Sequence, residues 1–189
     1  MPDPTLSASV DALLLCHPAS PCPAVGSIEV AAAFAADGGL TVRYRVHGQR
    51  DELRIPPPLP CAPADGLWQH TCCEAFIAAN DQAGYREFNF SPSGLWAVYR
   101  FTDYRQRDTG YTPPAAPQIN LQQLADGFAL DARLAPQLLP AGRTLHLGLS
   151  VVIEAADGGK SYWALAHNAA QPDFHLRQSF TLALNRPSP

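Results

Sequence analysis

Three turn sequences, Asp37-Gly38-Gly39, Ala125-Asp126-Gly127 and Asp157-Gly158-Gly159, each divide two runs in which apolar and hydrogen-bonding residues alternate. Asp-Gly steps supply the positive-φ positions that tight hairpins need. The first joins 27–36 to 40–47, the second 118–124 to 128–134, and the third 144–154 to 161–167. Ser91-Pro92-Ser93-Gly94 makes a further turn between 87–90 and 95–101. With 53–55, 67–77 and 179–184, the set comes to about ten short extended runs. The proline-rich stretches 56–63 and 108–117 cannot serve as inner strands and read as loops. The single helical candidate, 134–139, is broken by Pro136. Strands at this density predict an all-β chain, a single antiparallel β-sandwich. At 189 residues, without repeat or linker, one domain spanning 1–189 is expected, with its core at about 27–184 and 1–26 as an N-terminal extension.

Charge and composition remove several classes of function. A formal charge of −4 offers no footprint for nucleic acid, and Arg100, Arg105 and Arg107 alternate with Asp103 and Asp108 instead of forming a basic stripe. Met1-Pro2-Asp3-Pro4 has no cationic leader, the apolar run 12–16 is too short for a signal core, and no stretch approaches a membrane span. A soluble, cytoplasmic protein without nucleic-acid or membrane partners is expected. The five cysteines include no CxxC pair and are read as reduced thiols.

Chemistry is concentrated in 67–77 (LWQHTCCEAFI) and 85–101 (YREFNFSPSGLWAVYRF). Read as strands, the first puts Trp68, His70, Cys72, Glu74 and Phe76 on one face. The second puts Glu87, Asn89 and Ser91 on one face and Phe88 and Phe90 on the other. A tryptophan beside carboxylates and an amide suits a sugar-sized ligand: the ring covers the apolar face of a pyranose and the polar groups take its hydroxyls. Short catalytic signatures such as GxSxG, the P-loop, HExxH and GxGxxG are missing. Glu74 and Glu87 are also the kind of carboxylate pair a glycoside hydrolase uses. His70, His167, Asp173 and His175 are weak candidates for metal ligation. Haem held by Met and His is excluded by the sole methionine, Met1, and no cofactor is expected.

These motifs, followed by 161–167 (SYWALAH) and 172–175 (PDFH), resemble the stand-alone bacterial DOMON-like proteins, which are related to the family 9 carbohydrate-binding modules. The resemblance runs from about residue 27 to 184. The sugar-binding relatives clasp a terminal sugar between two tryptophans, with a glutamate, an arginine and an asparagine on its hydroxyls. The resemblance implies that Trp68, Glu74 and Asn89 take the first tryptophan, glutamate and asparagine positions, with Trp163 as the second tryptophan. Glu87 stands where those relatives carry arginine, which reverses the local charge. The implied function is non-catalytic binding of a carbohydrate or similar polyhydroxylated ligand by Trp68, Glu74, Glu87, Asn89 and Trp163.

Plainer roles stand beside these. Trp96 reads as core, and Trp68 and Trp163 are also large enough to be core. Glu74 has a buried ion pair with Arg86 or Arg100 open to it, and Asn89 a turn-bracing role. Two other functions remain open: a metal-assisted hydrolase or lyase using His70, Glu74, His167, Asp173 and His175, and a protein-interaction module presenting 56–63.

Overall fold

The computed structural model describes residues 9–80 and 82–187; the N-terminal residues read above for targeting, and Met1 with them, lie outside that range. Among the described residues there are thirteen strands, and the helical elements are four 3-10 turns. One antiparallel sheet has the order β1 (Ser9–Leu13), β3 (Val25–Phe34), β4 (Leu40–Gly48), β10 (Gly127–Leu134), β9 (Gln118–Leu124). The second runs β2 (Leu15–Cys16), β12 (Lys160–Ala164), β11 (Thr144–Glu154), β5 (Cys72–Ala79), β6 (Tyr85–Phe90), β7 (Trp96–Asp103), β8 (Gln106–Arg107), and β13 (Leu182–Asn185) pairs with β11. Residues 9–16, expected in an extension, supply an edge strand to each sheet.

The two sheets differ in how they use their alternation. In β3 and β4 every second residue is buried, Ile28, Val30, Ala32 and Phe34 against Val42, Tyr44 and Val46, while Glu29, Arg43 and Arg45 face outward. That is the pattern of a sheet with one wet face. In β5 all eight residues are buried. Its odd-numbered positions, Cys73, Ala75 and Ile77, join Phe88, Phe90 and Leu149 in the core between the sheets. Its even-numbered ones, Cys72, Phe76 and Ala78, join Tyr85, Tyr99, Phe101 and Phe180 in a second cluster on the outer face. Tyr44 ties the layers together, its hydroxyl donating to the Glu74 carbonyl across the core at 2.7 Å.

The three Gly-containing turns fall where the sequence puts them, between β3 and β4, β9 and β10, and β11 and β12. The Ser91–Gly94 turn likewise joins β6 to β7, braced by the Ser91 and Ser93 hydroxyls at 2.8 Å. Residues 67–71 differ from expectation. Gly66 takes the left-handed conformation (φ 75°) and starts a 3-10 turn over Leu67–Gln69, so the strand begins only at Cys72. The last run also starts later, at Leu182, after a 3-10 turn over Arg177–Ser179.

Candidate functional site

Cross-strand pairing sets the floor of a cleft on the outer face of the larger sheet. Ser150, Glu74, Asn89 and Ala97 lie in one row across β11, β5, β6 and β7, and Gly148, Phe76, Glu87 and Tyr99 in the next. Gly148 is required there: a Cβ would come within 2.7 Å of the Phe180 ring, which packs over it beside Phe76. The walls come from turns. The 3-10 turn after Gly66 brings Trp68 and Gln69, the β7–β8 hairpin brings Arg105 and Arg107, β12 brings Lys160 and Tyr162, and the segment before β13 brings Phe174 and His175. Together they enclose about 530 Å³, within the range of small-molecule sites.

Trp68 reaches the cleft by a different route from the one the alternation predicts. Leu67 is buried and anchors the turn, leaving Trp68 42% exposed with its ring edge-on to Tyr99 at 6.3 Å. His70 leaves the cleft altogether: its Nδ1 meets Glu154 Oε2 at 2.7 Å, on a carboxylate also held by Arg54.

Two carboxylates lie in the floor. Glu74 is 3% and Glu87 6% exposed. Glu74 Oε1 and the Ser150 hydroxyl, opposite each other in the register, are both sealed from solvent and make no well-formed hydrogen bond, although Ser150 lies close enough to favour the ionised carboxyl. Burial, then the charge of Glu87, hold the Glu74 carboxyl well above the usual range. Burial also lifts Glu87, to about 7, against the opposing pull of Asn89, Arg107 and Arg105. The expected ion pair of Glu74 with Arg86 or Arg100 does not form, because those arginines lie on the opposite face of the sheet. Arg86 donates to the Gln137 carbonyl and Arg100 pairs with Asp108.

Asn89 lies beneath the cleft surface, fully buried. Its Nδ2 donates to Glu87 Oε1 at 2.7 Å and its Oδ1 faces the Cys72 thiol at 3.6 Å. Its position makes it a brace for Glu87, and the turn-bracing role belongs to Ser91 and Ser93. Trp163 is a correction. It pairs with Val151 and Cys16, is 7% exposed, belongs to the core between the sheets and donates to Ser161 at 3.0 Å. The residue that β12 does turn into the cleft is its neighbour Tyr162.

Of the four metal candidates, Asp173 and His175 lie together, the His175 backbone N–H donating to Asp173 Oδ1 at 3.0 Å, while His70 and His167 lie elsewhere. His167 Nε2 bonds the Leu15 carbonyl at 2.8 Å and stacks edge-on to His17. Asp173 is engaged by Arg105 and Tyr104. His175 Nδ1 meets the Tyr85 hydroxyl at 2.7 Å, and that hydroxyl accepts from the Arg105 backbone N–H at 3.1 Å. The other ring nitrogen, His175 Nε2, faces Glu87 Oε2 at 3.8 Å. Burial, then Arg105, depress His175 to about 4, so the ring is neutral near pH 7. Among the described residues no three His, Cys, Asp or Glu side chains converge to hold a metal ion.

Sequence reasoning passed over Arg105 and Arg107 as members of a mixed-charge run. A tight turn lifts both to the rim: Arg105 has φ 54°, and Arg107 lies over the Tyr99 ring at 3.9 Å. Phe174, whose ring centroid lies 6.2 Å from that of Tyr162, was likewise not assigned to a site.

The two antiparallel sheets make a β-sandwich, a fold this chain shares with solved carbohydrate-binding proteins. A candidate carbohydrate-binding protein from Bacteroides uniformis aligns over 93% of this chain and 85% of its own, with TM-score 0.66 and 14% identity. A family 9 carbohydrate-binding module from Caldicellulosiruptor kristjanssonii, solved with glucose, aligns over 84% of this chain and 75% of its own, with TM-score 0.53 and 16% identity. At these identities the likeness is one of fold. No protein-family model and no curated protein matches the chain.

Proposed function

We propose that the protein binds a small polyhydroxylated ligand, a carbohydrate, in the cleft walled by Trp68. The observation that carries this reading is the combination of an exposed tryptophan over the cleft with Glu74 and Glu87 in its floor. Sugars need such a pairing, a flat apolar surface for their C–H face and fixed polar groups for their hydroxyls. Tyr162 and Phe174 stand in the place expected of a second tryptophan. The neutral His175 and its bond to Tyr85 fix one further polar edge. The ligand is held without a chemical change. The relatives of the same fold, one of them solved with glucose, support this reading.

The test is tryptophan fluorescence titrated with mono- and oligosaccharides. Trp96 and Trp163 are buried in the core, so a ligand-dependent change reports on Trp68. Trp68→Ala should weaken binding by about 1–3 kcal/mol while the fold persists. Unchanged affinity by calorimetry in that variant would remove Trp68 from the site.

A further inference from the structure

Two buried carboxyls with no Lys or Arg in ion-pair contact form the floor of this cleft. A buried charge is costly unless it is paired, and a buried carboxylate that lacks partners takes up a proton or a counter-cation. Here burial, against the longer-range pull of Arg107 and Arg105 from the rim, holds the pair toward its protonated form. Arg105 is engaged by Asp173 at 2.9 Å, Arg107 lies toward Asp65 at 3.6 Å and over Tyr99, and His175 is neutral. Lys160 lies at the exposed mouth. Among the described residues, no Lys or Arg nitrogen lies within 4.0 Å of the Glu74 or Glu87 carboxylates.

The same floor is surrounded by aromatic faces. Trp68, Tyr99 and Tyr162 line the cleft with Phe76 and Phe174. Aromatic faces attract cations, and the effect grows when the cation is desolvated. A carboxyl floor that can give up a proton, set within aromatic walls, is complementary to an ammonium group carried on a small ring. Glu74 and Glu87 both line the cleft and present carboxyls as acceptors for such a group.

We propose, building on the carbohydrate reading, that the preferred ligand is an amino sugar whose ammonium group sits between Glu74 and Glu87. The ammonium takes the place of the proton that burial keeps on the pair, and Asn89 holds Glu87 in place to receive it. The sugar ring lies under Trp68. N-acetylation removes the cation and leaves an amide that cannot pair with two carboxylates. An amine without the ring, such as spermidine, finds the charge but not the platform.

Calorimetry near neutral pH tests this with glucosamine, galactosamine and mannosamine, each against its parent hexose and its N-acetyl derivative, with spermidine as the amine control. At least one hexosamine should bind about 10- to 100-fold tighter than its parent hexose, the value of a hydrogen bond to a charged group. That margin should vanish in Glu74→Gln and shrink in Glu87→Gln, each checked for fold by circular dichroism. Hexoses binding as well as hexosamines would overturn the amino-sugar inference and leave the carbohydrate reading standing. A margin that survives both glutamine variants would also overturn it. Binding of spermidine alone, or of nothing in the panel, would overturn both.

Discussion

The two faces of the larger sheet are both buried, yet they are built to opposite rules. On the inner face, Cys73, Ala75, Ile77, Phe88 and Phe90 meet the smaller sheet as an apolar layer. On the outer face the intervening residues of the same two strands include Glu74, Glu87 and Asn89, all buried, and one of their oxygens is unpaired. Strand alternation produces both faces from one stretch of backbone. Burial alone therefore does not distinguish core from site. What does is buried polar chemistry left unsatisfied, because a stability-driven core avoids it.

The tryptophans give the sharpest way to break this comparison. Trp163→Ala opens a cavity on the inner face and should cost about 3–5 kcal/mol in urea unfolding. A loss below about 1 kcal/mol would contradict its placement in the core. Trp68→Ala, on the exposed wall, should cost little stability and lose ligand instead.

Next in size is the pH dependence set by the outer face alone. The Glu87 carboxyl lies at about 7 in the folded chain, above an ordinary value near 4.5. The folded state therefore holds more protons across that window, and stability falls as pH rises from about 4.5 to 7. His175 acts oppositely: folding drops it from 6.5 to about 4, so its contribution to stability rises with pH over that window. Between about 4.5 and 6.5 the two slopes offset each other, and Glu74, also raised, adds to the fall. Glu87→Gln should therefore flatten the net fall of stability with pH, and His175→Gln should steepen it. The change approaches about 1.4 kcal/mol per pH unit for one group, read from unfolding midpoints across pH. Identical profiles in wild type and both variants would show that the pair is not buried as described.

The smallest effect belongs to His70. Its side chain is 65% exposed and its partner Glu154 keeps Arg54, so His70→Ala should change stability by less than about 1 kcal/mol and leave ligand titrations unmoved. Altered affinity in that variant would return His70 to the site.

Much of this was legible in the sequence. The opposition of Glu87 and Asn89 to Phe88 and Phe90 follows from period-two alternation, and the hairpins follow from their Asp-Gly turns. Trp163 was not legible, because both faces of β12 lead into packed environments and either Tyr162 or Trp163 could face the cleft. The choice rests on the pairing of Val152 with Tyr162, a register that the sequence does not display. Trp68 lines the cleft by a route the alternation does not show, since Gly66 breaks the strand ahead of it. Arg105 and Arg107 escaped notice because a turn, not their spacing, brings them to the rim. Of the metal candidates, Asp173 and His175 share one loop, while His70 and His167 lie apart from them, a separation their spacing did not display.

The cleft has a floor made of strands and walls made largely of turns, and this division has an evolutionary consequence. Changes in the floor disturb registers shared by several strands, whereas the segments around 66–69, 104–105 and 172–175 can be exchanged with the ladder left intact. A lineage can thus alter what it recognises by rewriting three short stretches while inheriting the same scaffold. Sequence drift around Trp68 and Phe174 is then the place to look for a change of diet among chains that otherwise fold alike.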